Sequence, residues 1–315
     1  MATNPNKDLS VVIPTYERTA WLRELLSSLH GQKIRLDVVV VDDGSKDIVA
    51  KERMIESLAP SLDYPLRLLK QANQGPASAR NLGISAIATE LVAFLDDDVV
   101  VGTGWAENLV TEFKAHTNTV GASGKNLSFQ PLTVTERFLD HQKHLQSHQF
   151  EPDGTMAYVI TANCIFKKSA LTEVGGFDAS YPFAASDDMD LGFRLRKKGH
   201  RFAFCESAVA FHRQRSSVWV MGRTFFLYGR GAYMCASRHA DFYQGAVASA
   251  ELLEATKVLR VFADFFSKIL SNLRDPALRP GDRLLFPILE IMNHICYQLG
   301  RIYEKLHSTF SNEKR

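Results

Sequence analysis

Leu91-Val-Ala-Phe-Leu-Asp-Asp-Asp98 is a short apolar run that stops on three consecutive carboxylates. A run this short, ended by a polar turn, predicts a strand buried on both faces. Three carboxylates within one turn repel each other unless something cationic lies between them. Hard oxygen ligands suit Mg2+ or Mn2+, and such an ion can bridge two phosphates and stabilise a diphosphate leaving group. A solvated acidic loop is the plainer alternative. The position of Asp96, Asp97 and Asp98 directly after a buried strand favours the ligand set.

Working outward, the same alternation recurs. Leu9 to Ile13 and Leu36 to Val41 are further β-branched runs, the first stopped by Pro14 and the second by Asp42-Asp43-Gly44-Ser45. Thr19 to Leu29, Val49 to Leu58 and Ala77 to Ala88 carry helical spacing, and Leu66 to Leu69 reads as another strand. Strands alternating with helices over the first hundred residues predict an α/β fold, a mostly parallel sheet flanked by helices. Ligands of such sheets sit outside the carboxyl ends of the strands, where Thr15, Asp42, Asp43 and the acidic triplet all fall. The stretch from about 100 to 215 is less regular. Gly121 to Asn126, Tyr158 to Phe166 and Phe202 to Phe211 are its candidate strands, and Asp188 to Lys198 is a helix stopped by Gly199. Beyond about 218 the pattern turns helical, with an apolar stripe through Leu252, Leu259, Phe262, Phe266, Ile269 and Leu273 and a last helix from about Leu284 to Phe310.

Three further constellations have both a chemical and a structural reading. Asp42-Asp43-Gly44-Ser45 is either a ligand-binding turn or an Asx turn with Ser45 as a helix cap. Asn73-Gln-Gly75 opens a helix that carries Arg80, an arrangement suited to a diphosphate, although no Gly-Lys-Ser/Thr follows and no GxGxxG is present. Asp187-Asp188-Met-Asp190 places three acids in four residues at a helix start. One of them suffices as a cap, and a carboxylate of raised pKa is a suitable general base for a sugar hydroxyl. His212, after the last candidate strand, is by itself a packing residue or a ligand.

The bulk properties bound these readings. The chain has 315 residues, 45% hydrophobic and 23% charged, which is ordinary globular composition. Its four cysteines show no CxxC spacing, so neither a zinc site nor a disulfide framework is indicated, and a reducing cytoplasm is expected. Residues 1–217 hold 24 basic and 26 acidic side chains, and residues 218–315 hold 13 and 9. The cation site is therefore expected in the acidic part and any anionic surface contact in the basic tail. The near-neutral whole excludes a nucleic-acid partner. No apolar stretch approaches the roughly 20 residues of a membrane span.

Taken in order, Val11-Val-Ile-Pro-Thr-Tyr16, Val39-Val-Val-Asp-Asp-Gly-Ser45, Asn73-x-Gly75, Ala79-Arg-Asn81, Phe94-Leu-Asp-Asp-Asp98, Gly175-Gly-Phe-Asp178 and Asp187-Asp-x-Asp-Leu191 resemble the family 2 glycosyltransferases of the GT-A fold. The resemblance covers about residues 9–215. It implies an inverting transfer of one sugar from a nucleotide-diphosphate donor, a UDP-sugar first of all, to a glycan or lipid-linked acceptor. Pro14, Thr15, Tyr16 and Glu17 would line the base and ribose pocket, with Asn73 and Gly75 nearby. One of Asp42 and Asp43, Asp43 the better candidate, would accept from the nucleobase. Arg80 would lie near the diphosphate, Asp97 near the ribose or sugar, and Asp98 would hold the metal with Asp96 and His212. Gly176, Phe177 and Asp178 would shape the acceptor side. Asp188 matches the family's catalytic base, but Asp187 replaces the usual Glu, which leaves the base open between the two. The Gln-x-x-Arg-Trp motif of processive synthases is absent, so single-sugar transfer is expected.

The expected division is a catalytic domain over 1–217, with a nucleotide half to about 100 and an acceptor half over 101–217, followed by a helical extension over 218–315. Between Ser207 and Ala240 there is no acid, while Arg213, Arg215, Arg223, Arg230 and Arg238 alternate with aromatics. A basic, aromatic-rich helix suits an anionic membrane surface, which would place the protein at the inner face of the membrane. Packing of the aromatics within the protein is the competing account. A nucleotidyltransferase would want a Gly-x-Gly-Thr-Arg loop where Pro14-Thr-Tyr-Glu-Arg18 stands, and a non-catalytic scaffold would not need the acidic clusters.

Overall fold

The computed structural model describes residues 7–146, 149–181, 183–242, 267 and 269–312. They fall into two compact units, Met1–Phe129 with Leu145–Arg213, and Gln130–His144 with Gln214–Arg315.

The first unit is built on an eight-stranded sheet. Its strands are β1 (Leu9–Thr15), β2 (Leu36–Asp42), β3 (Leu66–Lys70), β4 (Leu91–Leu95), β5 (Val99–Val101), β6 (Gly121–Ser128), β7 (Asn163–Lys167) and β8 (Phe202–His212). Their order is β3-β2-β1-β4-β7-β6-β8-β5. β1, β2, β3 and β4 pair in parallel, as do β6 and β8. β7 runs antiparallel to β4 and β6, and β5 antiparallel to β8. Two antiparallel steps through β7 restore the direction of β4, so β1, β2, β4 and β8 end on one edge.

The apolar runs are continuous because both faces of the sheet are covered. Val11 and Ile13 join the core on one face with Leu22, Leu25 and Leu26 of helix α1 (Thr19–Ser28). Val12 joins the core on the other with Phe94 and Ala77 and Ala79 of helix α3 (Pro76–Ala86). Each such fully buried Val, Leu or Ile contributes about 1.5–3 kcal/mol of transfer free energy.

The remaining helices of this unit are α2 (Ile48–Leu58), α4 (Trp105–Ala115), α6 (Lys168–Glu173) and α7 (Asp187–Lys197). The candidate strand at Tyr158 to Phe166 is corrected, since only Asn163–Lys167 is a strand. Before it the chain is pinned by a side chain rather than a ladder, with the Ile160 amide donating to Ser123 Oγ at 2.8 Å. Asn163 then ties the sheet together, accepting from Trp105 Nε1 at 2.8 Å and donating to the Ala208 carbonyl at 2.9 Å.

The second unit holds α5 (Val134–His141), α8 (Val218–Arg238) and α9 (Pro280–Asn312). Thr133 and Glu136 cap α5 reciprocally, and Arg137 pairs with Asp282 at 2.7 Å. Phe138, Met221, Phe286 and Leu289 form this unit's core. Of the expected tail stripe, Leu252, Leu259, Phe262 and Phe266 lie outside the described residues. Among the described residues no helix is long and apolar enough to cross a membrane.

Candidate active site at the carboxyl edge of the sheet

Asp42 ends β2 and Asp43 follows it. Asp42 accepts from the Ser45 amide at 2.8 Å, from Ser45 Oγ at 2.6 Å and from Lys51 Nζ at 2.5 Å. Lys51, on α2, has no exposed surface. Its ammonium also donates to Ser45 Oγ at 2.8 Å and Thr15 Oγ1 at 3.3 Å, so all three protons are engaged. Burial alone would push the Asp42 carboxyl up. The bonds from Lys51 and Ser45 outweigh it and hold the group below its usual range. Asp43 accepts from Gln71 Nε2 at 2.7 Å and from the Gln74 and Gly75 amides at 2.8 and 2.9 Å. It thereby takes up amides of the loop that opens α3. Asn73 in that loop is exposed, and its backbone packs on Gly44. A Cβ there would lie 2.7 Å from the Asn73 nitrogen, and φ is +78°.

Asp96, Asp97 and Asp98 follow β4 and diverge. Asp97 turns toward the end of β1. It accepts from Thr15 Oγ1 at 2.8 Å, from the Tyr16 amide at 3.4 Å and from Arg18 Nη1 at 2.9 Å. Burial pushes its carboxyl up to about 6 against the pull of Arg18, with the Asp98 charge adding to the rise. Pro14 is buried within β1, while Tyr16 is exposed. Glu17 sits at φ 63°, a left-handed conformation that costs a non-glycine residue about 1–3 kcal/mol. The Glu17 turn is fastened by its amide on Ser45 Oγ at 2.8 Å and by the Lys46 amide on Glu17 Oε1 at 3.0 Å.

Asp98 turns toward β8. Its Oδ1 lies 3.2 Å from His212 Nε2, and Asp96 Oδ2 lies 4.0 Å from the same nitrogen. One ligand atom from each of Asp96, Asp98 and His212 falls within a 4.8 Å cluster. His212 Nδ1 is 2.8 Å from the Arg213 carbonyl, which can only accept. The ring therefore carries a proton on Nδ1, and in its neutral form it would offer Nε2 to a cation, the tautomer a metal-binding imidazole needs. β5 aligns this cluster, since Val99 pairs with His212 and the Arg213 amide donates to the Asp98 carbonyl at 2.9 Å. Two carboxylates and an imidazole fit a divalent ion of the Mg2+ or Mn2+ kind, with the nitrogen favouring Mn2+.

Arg80, on α3, links this cluster to the start of α7. It donates to Asp96 Oδ1 at 2.9 Å and to Asp187 Oδ2 at 2.7 Å. Burial works against its charge, and the two carboxylates outweigh it, so Arg80 stays protonated. Asp187 is buried in this pair. Asp188, beside it, is half-buried and accepts from the Met189 amide at 2.8 Å. Burial, with the charge on Asp187 adding to it, pushes the Asp188 carboxyl up to about 7 against the pull of Arg80. The residue ahead of them, Ser186, is a second left-handed non-glycine at φ 65°. Phe177 lies in the core, edge-on to Phe94 at 5.3 Å and under the Arg80 guanidinium at 5.4 Å. Asn81 fixes its loop by exchanging two 2.8 Å bonds with the Phe177 backbone. Gly176 is required there, because a Cβ would meet Asn81 Oδ1 at 2.4 Å. Asp178 caps the following turn through the Ser180 amide at 2.8 Å.

Sequence reasoning missed Lys51, Arg18, Asn81 and Ser186. Arg18 and Asn81 lay inside quoted motifs and had no role assigned. Lys51 looks like any solvated helix lysine, and only its burial shows otherwise.

Residues 10–175 match the family described as Glycosyl transferase family 2. The chain belongs to glycosyl transferase family 2. Among its curated relatives in this family, a pre-mycofactocin glycosyltransferase of Mycobacterium tuberculosis is 33% identical over 258 residues, 79% of this chain and 52% of the relative. A chondroitin synthase of Pasteurella multocida is 25% identical over 67% of this chain and 25% of its own length. The chain thus spans about half or less of these relatives. Among solved structures, a mannosyltransferase from Pyrobaculum calidifontis in complex with GDP-Man and Mn2+ superposes with a TM-score of 0.63 at 18% identity, covering 96% of this chain and 89% of that one. That likeness confirms the fold, a GT-A-type sheet with helical flanks and a helical C-terminal region.

Proposed function

We propose that this chain moves one sugar from a nucleotide-diphosphate donor to an acceptor hydroxyl with inversion at the anomeric carbon. The observation that carries the reading is the convergence, on one sheet edge, of the Asp96–Asp98–His212 ligand set with a half-buried carboxylate of raised pKa at Asp188, Arg80 tying Asp96 to the neighbouring Asp187. Asp96, Asp98 and His212 would hold Mg2+ or Mn2+, which when bound stabilises charge on a diphosphate leaving group. Asp188 would remove the proton from the acceptor hydroxyl as that oxygen attacks the anomeric carbon from the face opposite the diphosphate. Asp187, committed to Arg80, would hold the α7 start in place. Thr15, Tyr16, Glu17, Asp42, Asp43, Asn73 and Gly75 would frame the nucleoside, and the Gly176–Asp178 turn the acceptor side. A uracil donor is the first expectation, and the GDP-Man of the Pyrobaculum structure makes a guanine donor the natural parallel trial. A glycan acceptor accords with the chondroitin synthase among the relatives, and a lipid-linked acceptor is the other expectation.

The test is incubation with a panel of nucleotide sugars and acceptors with Mn2+. Release of free nucleoside diphosphate, with an inverted linkage seen by NMR in the product, is expected. Pyrophosphate would mean a nucleotidyltransferase, and no release from any donor would mean a binding scaffold.

We infer, as a second reading, a peripheral contact of the second unit with anionic lipid. Trp219, 81% exposed, stands with exposed Val218 and Val220 at the start of α8, between Arg215 and Arg223. Co-sedimentation with vesicles should require anionic lipid and fall with salt. A protein left in the supernatant under every condition has no such contact.

A further inference from the structure

We propose that Arg18 makes loading of the divalent ion conditional on the donor's diphosphate. The inference rests on the reading of Asp96, Asp98 and His212 as the cation site. Arg18 Nη1 bridges two carboxylates, 2.9 Å from Asp97 Oδ1 and 2.8 Å from Asp98 Oδ2. Asp98 thus faces two ways, with one oxygen on Arg18 and the other toward His212 Nε2. A fixed positive charge on that carboxylate both engages one of its oxygens and repels a second cation, so it weakens the ligand set for a free ion.

Two features separate Arg18 from a permanent structural cation. Arg80 also bridges two carboxylates of this site, but its side chain is buried. The Arg18 side chain is 38% exposed, and its guanidinium lies 5.2 Å from the centre of the exposed Trp21 ring, a surface it can slide over without leaving the site. The backbone beneath it is held differently. The left-handed turn at Glu17 is fastened to Ser45 and Lys46, so the chain is fixed where Arg18 leaves it while the side chain can move.

A diphosphate changes the balance in two ways. It offers the guanidinium a fork of anionic oxygens, the partner for which Arg geometry is best suited. It also brings oxygens that bind the ion directly. Diphosphate and cation therefore load together, and by linkage each raises the affinity of the other by the same factor.

The experiment is Mn2+ titration of the full chain, followed by electron paramagnetic resonance of the free ion, with and without UDP or GDP. Wild type is compared with Arg18→Gln and Arg18→Met, two neutral variants of a partly exposed side chain. Wild type should bind Mn2+ weakly alone and about 5–150-fold more tightly with the nucleotide. Both variants should bind Mn2+ alone several-fold more tightly than wild type, and their gain from the nucleotide should shrink. Variants that bind Mn2+ alone no better than wild type overturn the role of Arg18 and leave the cation site standing. Absence of Mn2+ binding in all three proteins, with and without nucleotide, overturns the cation site itself and this inference with it.

Discussion

Asp42–Asp43 and Asp96–Asp98 look alike in the sequence. Each is a run of carboxylates closing a buried parallel strand at the same edge of one sheet. In the structure they differ. The first run is satisfied by the protein through Lys51, Ser45, Gln71 and the loop amides of Gln74 and Gly75. The second is held by two arginines, Arg18 on Asp97 and Asp98 and Arg80 on Asp96, with the His212 Nε2 standing beside Asp96 and Asp98. A contrast also lies within a single dipeptide, where Asp187 is closed by Arg80 and Asp188 keeps an open side. What separates the two strand ends is the kind of partner the rest of the fold brings to them, a lysine with hydroxyl and amide donors at Asp42 and Asp43, two arginines and an imidazole at Asp96 to Asp98.

The dipeptide offers the sharpest way to break this contrast. Asp188→Asn keeps the shape and removes the basicity. Turnover should fall by about 10²–10⁴ with nucleotide binding within a few-fold of wild type. Asp187→Asn should instead loosen the α7 start and disturb binding as well as turnover. If the two variants exchange these patterns, the closed carboxylate is the base.

At the strand ends the expected effects separate by kind. Lys51→Met leaves Asp42 charged and buried, and loss of one partner of such a pair costs about 3–5 kcal/mol. Chemical denaturation should show that loss, and Asp42→Asn in the same chain should recover most of it. Asp98→Ala should leave the denaturation midpoint nearly unchanged and remove the metal-dependent part of nucleotide binding, read by calorimetry with and without Mn2+. A Lys51→Met protein of wild-type stability would show that the closed cluster is not a structural pair.

A smaller effect concerns pH. A general base acts deprotonated, and burial beside Asp187 holds the Asp188 carboxyl at about 7. The ratio kcat/KM reports groups of the free enzyme, so it should rise with pH through a midpoint near 7 and level off above it. A profile already flat at pH 5 would mean that no carboxylate of raised pKa takes part.

Much of this was legible in the sequence, and the limit of legibility was physical. β1, β2 and β4 could be read because burial on both faces makes a strand a continuous apolar run. The order of strand-end polar residues followed from that. β5 escaped because three residues after an acidic turn carry no period. α4 had a legible stripe in Trp105, Leu109, Val110 and Phe113 that went unread. α5 is inserted between strands of the first unit and packs in the second, which no local pattern can show. Lys51 and Arg18 went unassigned because a cation's role depends on which distant carboxylates the topology brings to it.

His212 is the third arm of the Asp96–Asp98 cluster, and the effect of its loss should be the smallest of the set. Its position is decided by β8, which ends on the same edge as β4 only because β7 reverses twice between them. The Arg213 carbonyl 2.8 Å from Nδ1 fixes the tautomer, and Nε2 is thereby turned to Asp98 at 3.2 Å. A ligand role needs that tautomer. His212→Ala removes one of three protein ligands and leaves both carboxylates, so nucleotide affinity in the presence of Mn2+ should fall by about 10–100-fold, the loss typical of disturbing a site's ligand support. Without Mn2+ the same variant should bind UDP or GDP within about two-fold of wild type, because its ring then has no ion to hold. His212→Gln, which restores bulk and a polar end but no imidazole, should resemble alanine with the metal present. Equal losses with and without Mn2+ would make His212 a packing residue, and the cation would then rest on Asp96 and Asp98 alone.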